Sequence, residues 1–426
     1  MREVLRGIGA LGIVIAAAAA ASACERAWIR VLGEPGPALE VRIRGVAGHR
    51  SGRSLVVGSV VGKLALDRSL ASSGGKEPFV ALLDSNGDPR QTLRFGGSGT
   101  RELASAVFDP VGEVILAGKF TGTLDLGGLH LGTPKGGNAS GFVAKLDRNA
   151  RGLWIKELAA DAMTRLEIHG AAADAAGGVV VSGYVDGKSL SLDGADLGIS
   201  DKFALKLDAE GHVTWRAHLR YGVADTQPPV IDPSGNTLFA FVSESLEKIH
   251  LVKLDRDGNS LWRHKLGGGI IQELTGFAVD SAGNVLLSGR GGLDDSPAEG
   301  ELGFVAKLDP EGHVLTVRRG RKLAYGSLAV DDHDNVIVAG AAPPSASFGD
   351  ALVRGTGSRF VARLDPALRP LTVVRLEGDL GAALAASAIP GGALLVAGSY
   401  KGAIDLGGRR IPESAGENAF VAALAP

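Results

Sequence analysis

The sequence predicts an all-β fold, a seven-bladed β-propeller with four antiparallel strands per blade and an N-terminal strand that closes the last blade. Three observations predict it. A six-residue pattern recurs seven times. Each copy sits in the same succession of short strand-forming segments. The last copy lacks one segment, and that segment stands at the other end of the chain.

The pattern begins at 79–84 as Phe-Val-Ala-Leu-Leu-Asp and returns at 142–147 as Phe-Val-Ala-Lys-Leu-Asp. Further copies begin at Phe203, His250, Phe304, Phe360 and Phe420, with steps of 63, 61, 47, 54, 56 and 60 residues. Self-similarity at such a period signals a propeller or an array. An Asp-x-x-Gly turn follows most copies, and then a strand that carries Trp154, Trp215 or Trp262. A Gly-rich loop comes next, such as 95–99. A strand of small residues ending in Asp follows, such as 103–109 or 276–280. A turn then leads into a β-rich strand ending in Gly, such as 283–289 or 334–340. Short apolar or alternating runs bounded by Gly, Asn and Asp read as strands. Four antiparallel strands repeated radially make a propeller.

The closing strand follows from the ends of the chain. After the copy at Phe420 only Ala425 and Pro426 remain, so the last unit lacks its Trp strand. The segment 27–32, with Trp28, supplies it and removes two free sheet edges. An N-terminal closing strand is the outermost of its blade. The Trp strand is therefore outer, the Phe-Val-Ala strand lies beside it, the strand ending in Gly comes third, and the small-residue strand lines the centre. The repeats are bounded at about 27–89, 90–151, 152–212, 213–259, 260–313, 314–369 and 370–426.

Composition agrees with this. Of 426 residues, 63 are Gly, about twice the usual share, as tight turns require. A net charge of −2 with no basic stripe argues against nucleic acid. The chain is expected to be a monomer.

The N-terminus reads as export. Arg2 and Arg6 precede an apolar run at 7–21, and small residues follow. Residues 1–23 form a signal peptide. Cys24 is the single cysteine of the chain and stands at the cleavage point, so it is the expected site of lipid attachment, with 24–26 as the anchor linker. Glu25 after it points to an outer-membrane lipoprotein in the cell envelope, a partner of the membrane through its lipid. Cleavage at Ala23 without lipidation would leave a periplasmic or secreted protein.

The segments 303–312 and 278–285 resemble the bacterial seven-bladed β-propeller repeat family, the SBBP-type repeats. The stretches 95–99 and 118–127 look like the version abundant in secreted myxobacterial proteins. The resemblance spans about residue 27 to the end. It implies the fold and says nothing of activity. His250 in place of Phe and the divergent inner strand near 38–46 depart from the repeat.

No residue set signals chemistry. Asp255 to Asn259 suggests a calcium loop but lacks the remaining ligands, and Asp with Gly suits a tight hairpin. The tryptophans look like those of quinone-cofactor propellers, yet a fixed place in the outer strand fits packing between blades. His212, His313 and Asn259 share one turn position. No phosphate loop or nucleophile elbow occurs. No catalytic, cofactor or metal residue is assigned, and no cofactor is expected. The long loops all join the strand ending in Gly to the Phe strand: 61–78, 121–141, 185–202, 341–359 and 401–419. The cores 125–128 and 405–408 suggest a small extra hairpin. Insertions on one face mark a binding face; neutral drift explains them equally well. Two functions stay open. One is a non-catalytic envelope propeller that binds or scaffolds a protein or glycan on the long-loop face. The other is a secreted hydrolase or lyase acting on glycan at the channel mouth.

Overall fold

The computed structural model describes residues 27–34, 36, 38–66, 75–133, 139–160, 165–186, 189–199, 201–219, 223–243, 245–267, 271–293, 302–321, 323–343, 347–348, 351–352 and 359–424. The signal peptide and Cys24 lie outside them. Among the described residues every regular element is a strand.

Pairing groups the strands into consecutive antiparallel four-strand sets. Set one is Glu40–Gly48, Ser54–Val61, Glu77–Leu83 and Pro89–Arg94. Set two is Arg101–Phe108, Val114–Phe120, Ser140–Leu146 and Gly152–Ala160. Set three is Arg165–Ala173, Val179–Asp186, Asp201–Leu207 and Val213–His218. Set four opens on a split first strand, Val223–Thr226 and Val230–Ile231, followed by Thr237–Ser243, Ile249–Leu254 and Ser260–Leu266. Set five is Ile271–Val279, Val285–Gly291, Leu302–Leu308 and Val314–Arg321. Set six is Ala324–Val330, Val336–Ala341, Arg359–Leu364 and the start of Pro370–Ala388. The rest of Pro370–Ala388 opens set seven, followed by Leu394–Leu406 and Arg410–Leu424. Within each set the small-residue strand comes first and the Trp-type strand last, in the order read from the sequence.

Trp28–Val31 completes set seven, pairing Trp28 with Ala423 and Val31 with Phe420. The first strands touch their neighbours in sequence, and Pro370–Ala388 in turn contacts Glu40–Gly48. Two features depart from the repeat as read. A single strand runs from set six into set seven where a loop was expected; it bends at Gly378, whose φ of 113° suits only glycine. The first strand of set four is broken at Gln227-Pro228-Pro229, because proline brings no N–H to the ladder.

Six of the seven sets share one contact. A Gly within the second strand pairs with the repeat's Phe on the third: Gly58 with Phe79, Gly118 with Phe142, Gly183 with Phe203, Gly289 with Phe304, Gly340 with Phe360 and Gly398 with Phe420. A Cβ on Gly118 would stand 2.1 Å from the Glu102 carbonyl oxygen of the first strand and 2.8 Å from the Phe142 ring. Gly58, Gly183 and Gly289 are enclosed in the same way. The ring occupies the space a side chain would take, and all these Phe residues are fully buried. Set four reverses the arrangement. Phe241 stands at the Gly position, His250 at the Phe position, and their rings stack at 5.4 Å with 8° between planes.

The tryptophans bind one set to the next. Trp154 Nε1 donates to the Ala209 carbonyl at 2.8 Å, Trp215 to Arg256 at 2.9 Å, Trp262 to Pro310 at 3.1 Å and Trp28 to Ser85 at 3.1 Å. Each acceptor lies in the Asp-x-x-Gly turn of the following set. The turn glycines at 87 and 258 lie against Trp28 and Trp215, where a Cβ would collide, and those at 211 and 312 lie close to Trp154 and Trp262. Packing between sets is thus the role of these residues, as expected. The turn Asp braces its own hairpin. Asp255 Oδ1 accepts from the backbone N–H of Asp257 and Asn259, and its Oδ2 accepts from Asn259 Nδ2, so both carboxylate oxygens brace the turn.

Trp28→Ala should destabilise the protein by about 3 kcal/mol, because it removes a buried indole and the joint between the last set and the first. Urea unfolding checks this against Leu261→Ala, where the side chain is 53% exposed. Equal midpoints for the two variants would contradict the closure.

Candidate functional site

Two ends of the molecule can be compared. At one end stand the short turns. There the repeat's Lys reaches from the third strand to the Asp that ends the first. Lys206 pairs with Asp174 at 2.8 Å, Lys253 with Asp232 at 2.9 Å and Lys307 with Asp280 at 2.8 Å. Lys145 meets Asp109 and Glu113, and Arg363 meets Asp331 at 3.5 Å. Most of these cations also donate to a carbonyl of the next set: Lys145 to Gly177, Lys253 to Pro310, Lys307 to Pro366 and Arg363 to Gly392. A cavity of about 540 Å³ lies at this end, lined by Asp174, Lys206, Asp232, Arg256, Asp280 and Ser281. Its charges are committed to structure. Arg256 donates to the Ser234 carbonyl, and Ser281 to Asp334.

Burial pushes the Asp174, Asp232 and Asp280 carboxyls upward. Hydrogen bonds from the lysines and from backbone N–H groups outweigh it and hold all three below the ordinary carboxylate range. The grouping Asp331, Asp332 and His333 brings three possible metal ligands together. Asp331 already accepts from two backbone N–H groups and from Asn335 Nδ2, and His333 Nδ1 lies 2.7 Å from Asp332. His212 and His313 close their turns onto Asp208 and Asp309, as their spacing predicted.

The other end carries the long loops, of which 67–74, 134–138, 187–188, 200, 294–301, 344–346, 349–350 and 353–358 lie outside the described residues. The extra hairpins are present, as Leu124–Leu126 with Leu129–Leu131 and as the pair Asp405 with Arg410. Here the first strands share a feature that the sequence did not disclose. Five of them have a β-bulge at one register, just after the residue opposite the buried Gly, whereas in set seven the irregularity falls before that residue, between Leu380 and Leu384. The bulged residues are Arg44, Ala104, His169, Thr275 and Gly326. In set four the break falls at the same level, and Gln227 N donates to the Ala240 carbonyl. A bulge re-aims side chains and often borders a functional site. Its sequence signal is faint: an extra residue in a strand too short to show its phase.

Four of these positions, Arg44, Gln227, Thr275 and Gly326, line one cavity of about 510 Å³ at the loop end. Glu273, Tyr325 and Arg359 complete its polar wall, and Leu384 and Ala385 of set seven its apolar wall. Five of the sets thus contribute, which places the cavity where the first strands converge. Glu273 faces Arg290 at 3.9 Å, and Arg44 faces Glu102 at 3.7 Å. Arg359 differs. Its Nε is buried and meets no acceptor among the described residues. Burial alone acts on its guanidinium and pushes its pKa down. Beside the cavity Lys119 bridges Glu102 and Glu167. Burial and the Lys202 charge push His169 down to about 4, so it is neutral at neutral pH.

No protein-family model matches the chain, and no curated protein sequence matches it. Solved structures resemble it faintly. Sqt1 from Chaetomium thermophilum shares 13% identity, with a TM-score of 0.47 over 93% of this chain and 100% of that one. The Dos1 propeller shares 10% at 0.44, over 93% and 94% of the two chains. A protein of unknown function from Dyadobacter fermentans shares 12% at 0.40, over 93% and 99%. Propeller proteins are thus among the similar structures, at a distance that carries no functional argument.

The Asp–Lys row gives a pH dependence. A carboxyl whose folded pKa is depressed adds stability above its unfolded value, near 4, and loses it as pH falls through the folded value. The melting temperature should hold from pH 7 to about 5 and drop below about 4. Lys253→Met should flatten that drop. An identical acid limb in the variant would contradict the assignment.

Proposed function

We propose that the chain is a seven-bladed β-propeller that serves as a non-catalytic binding module of the cell envelope, taking its ligand at the loop-end mouth. The antiparallel four-strand sets, the contacts between successive first strands and the N-terminal strand on the last set support the blade count. They accord with the likeness to SBBP-type repeats. One observation carries the binding reading: bulged residues from separate sets meet around one polar cavity. A pocket of roughly 300–1,000 Å³ with a few converging polar groups is what small-ligand sites have in common. Glycan hydrolysis is supported less well. It needs a pair of carboxyl groups, and among the described lining residues Glu273 is the single one.

The test is a thermal-shift screen of cell-wall sugars and short peptides, run on the full chain and on two variants. Gly326→Trp fills the mouth, where a Cβ on Gly326 would make ordinary contacts, 3.7 Å from the carbonyl oxygens of Ala339 and Leu384. Ala176→Trp places the same bulk in the turn-end cavity. A ligand that protects the wild type and Ala176→Trp but not Gly326→Trp supports the reading. Protection lost only with Ala176→Trp contradicts it.

Attachment through Cys24 belongs to the same proposal, supported by the sequence at the cleavage point. Cys24→Ala should move the protein from the membrane fraction to the soluble one. Continued pelleting with membranes would refute lipid anchoring.

A further inference from the structure

Arg359 poses a question of its own. It stands just before the repeat's Phe360, where the other sets carry Pro78, Gly141, Lys202, Ile249, Gly303 and Ala419. Its backbone is fixed on both sides, paired with Ala341 and with Leu376. A guanidinium is retained in a partly desolvated place at a cost, and a counterion normally offsets that cost. The other buried cations of the repeat show this: Lys206, Lys253 and Lys307 each have an Asp within 3 Å. Arg375, nearby in sequence, gives its guanidinium to the carbonyls of Ala342 and Pro343. Arg359 has no carboxylate and no acceptor for its Nε among the described residues. It lines the mouth.

The rest of the wall narrows what would complete it. Glu273 is an acceptor that a hydroxyl group could satisfy, and its charge opposes a second negative charge on a ligand. Gln227 and Thr275 are neutral groups that can both donate and accept. Tyr325 and Leu384 offer apolar surface. Arg44, the second guanidinium of the wall, faces Glu102 at 3.7 Å, so a polyphosphate or a nucleic acid would meet one fork without a carboxylate partner among the described residues and one repelling carboxylate. A planar, singly charged carboxylate carrying hydroxyl groups meets a fork that binds it through two hydrogen bonds, and partners for its hydroxyls.

We infer that the loop-end mouth is a binding site for a hydroxylated monocarboxylate of sugar-acid size, with Arg359 as the group that holds the carboxylate. The inference rests on the binding reading above and adds the ligand class. Arg359 selects for charge, while Gln227, Thr275 and Glu273 select for the pattern of hydroxyls.

The experiment is isothermal titration of the full chain with D-glucuronate and, as its neutral match, D-glucose. Glucuronate should bind at least about tenfold more tightly, the usual worth of a charge-assisted pair of hydrogen bonds. Arg359→Gln should erase that preference, and Arg359→Lys should recover only part of it. A second readout needs no ligand. An unpaired cation adds nothing to the fold, so Arg359→Gln should melt at the wild-type temperature or above. Equal affinity for the two sugars, binding of neither, or a preference that survives Arg359→Gln would overturn the inference. So would a clear fall in melting temperature, which would give Arg359 a structural partner. The two readings fail separately. A neutral ligand lost with Gly326→Trp but indifferent to Arg359→Gln keeps the mouth and removes the carboxylate.

Discussion

The contact on which the structure depends is that between a glycine and a phenylalanine in neighbouring strands. The Phe ring and a carbonyl oxygen of the first strand together fill the place where a Gly Cβ would stand. No side chain fits between them. In five sets the residue of the first strand next to this close approach is left without a partner and forms the bulge. The bulge in turn decides which side chains reach the centre. A packing rule repeated for stability therefore also shapes the mouth.

A second constraint operates between sets. An indole N–H and a lysine ammonium each cross to a carbonyl of the following set. Neighbouring cores would otherwise meet through apolar surface alone, which has no direction. The directed bonds fix how far one set rotates against the next. The cations involved are nearly buried, and each is matched by an Asp held in its own turn. These pairs occupy the turn end of the molecule, and they leave it with few free groups for a ligand. The loop end is built the other way, with Arg359 unpaired among the described residues and Glu273 only loosely engaged.

Much of this was legible in the sequence, because a repeat shows each position several times over. The strand order, the closing strand at Trp28, the hairpin cores and the packing role of the tryptophans all follow from comparing copies. The structure showed why His250 departs from the repeat: Phe241 has exchanged size with it across the pair. What was not legible is what the copies do not share. Arg44, Gln227 and Thr275 share one level of the first strands and Arg359 precedes the Phe of a third strand, and the copies fill both positions with unrelated residue types, so no pattern marks them. The bulges escaped because a single inserted residue shifts an alternation that these strands are too short to display. The fused strand Pro370–Ala388 escaped because Gly378 reads as a loop residue and serves as a bend.

The dependence of the mouth on the Gly–Phe contact is the central claim. Gly289 is the best place to examine it. It pairs with Phe304, its missing Cβ would lie 2.4 Å from the Glu273 carbonyl oxygen, and the bulge at Thr275 follows directly. The most direct measurement is the urea unfolding midpoint of Gly289→Ala beside that of the wild type. The account expects a loss of about 1–3 kcal/mol from overpacking, although the change adds only one methyl group. An unchanged midpoint would contradict it.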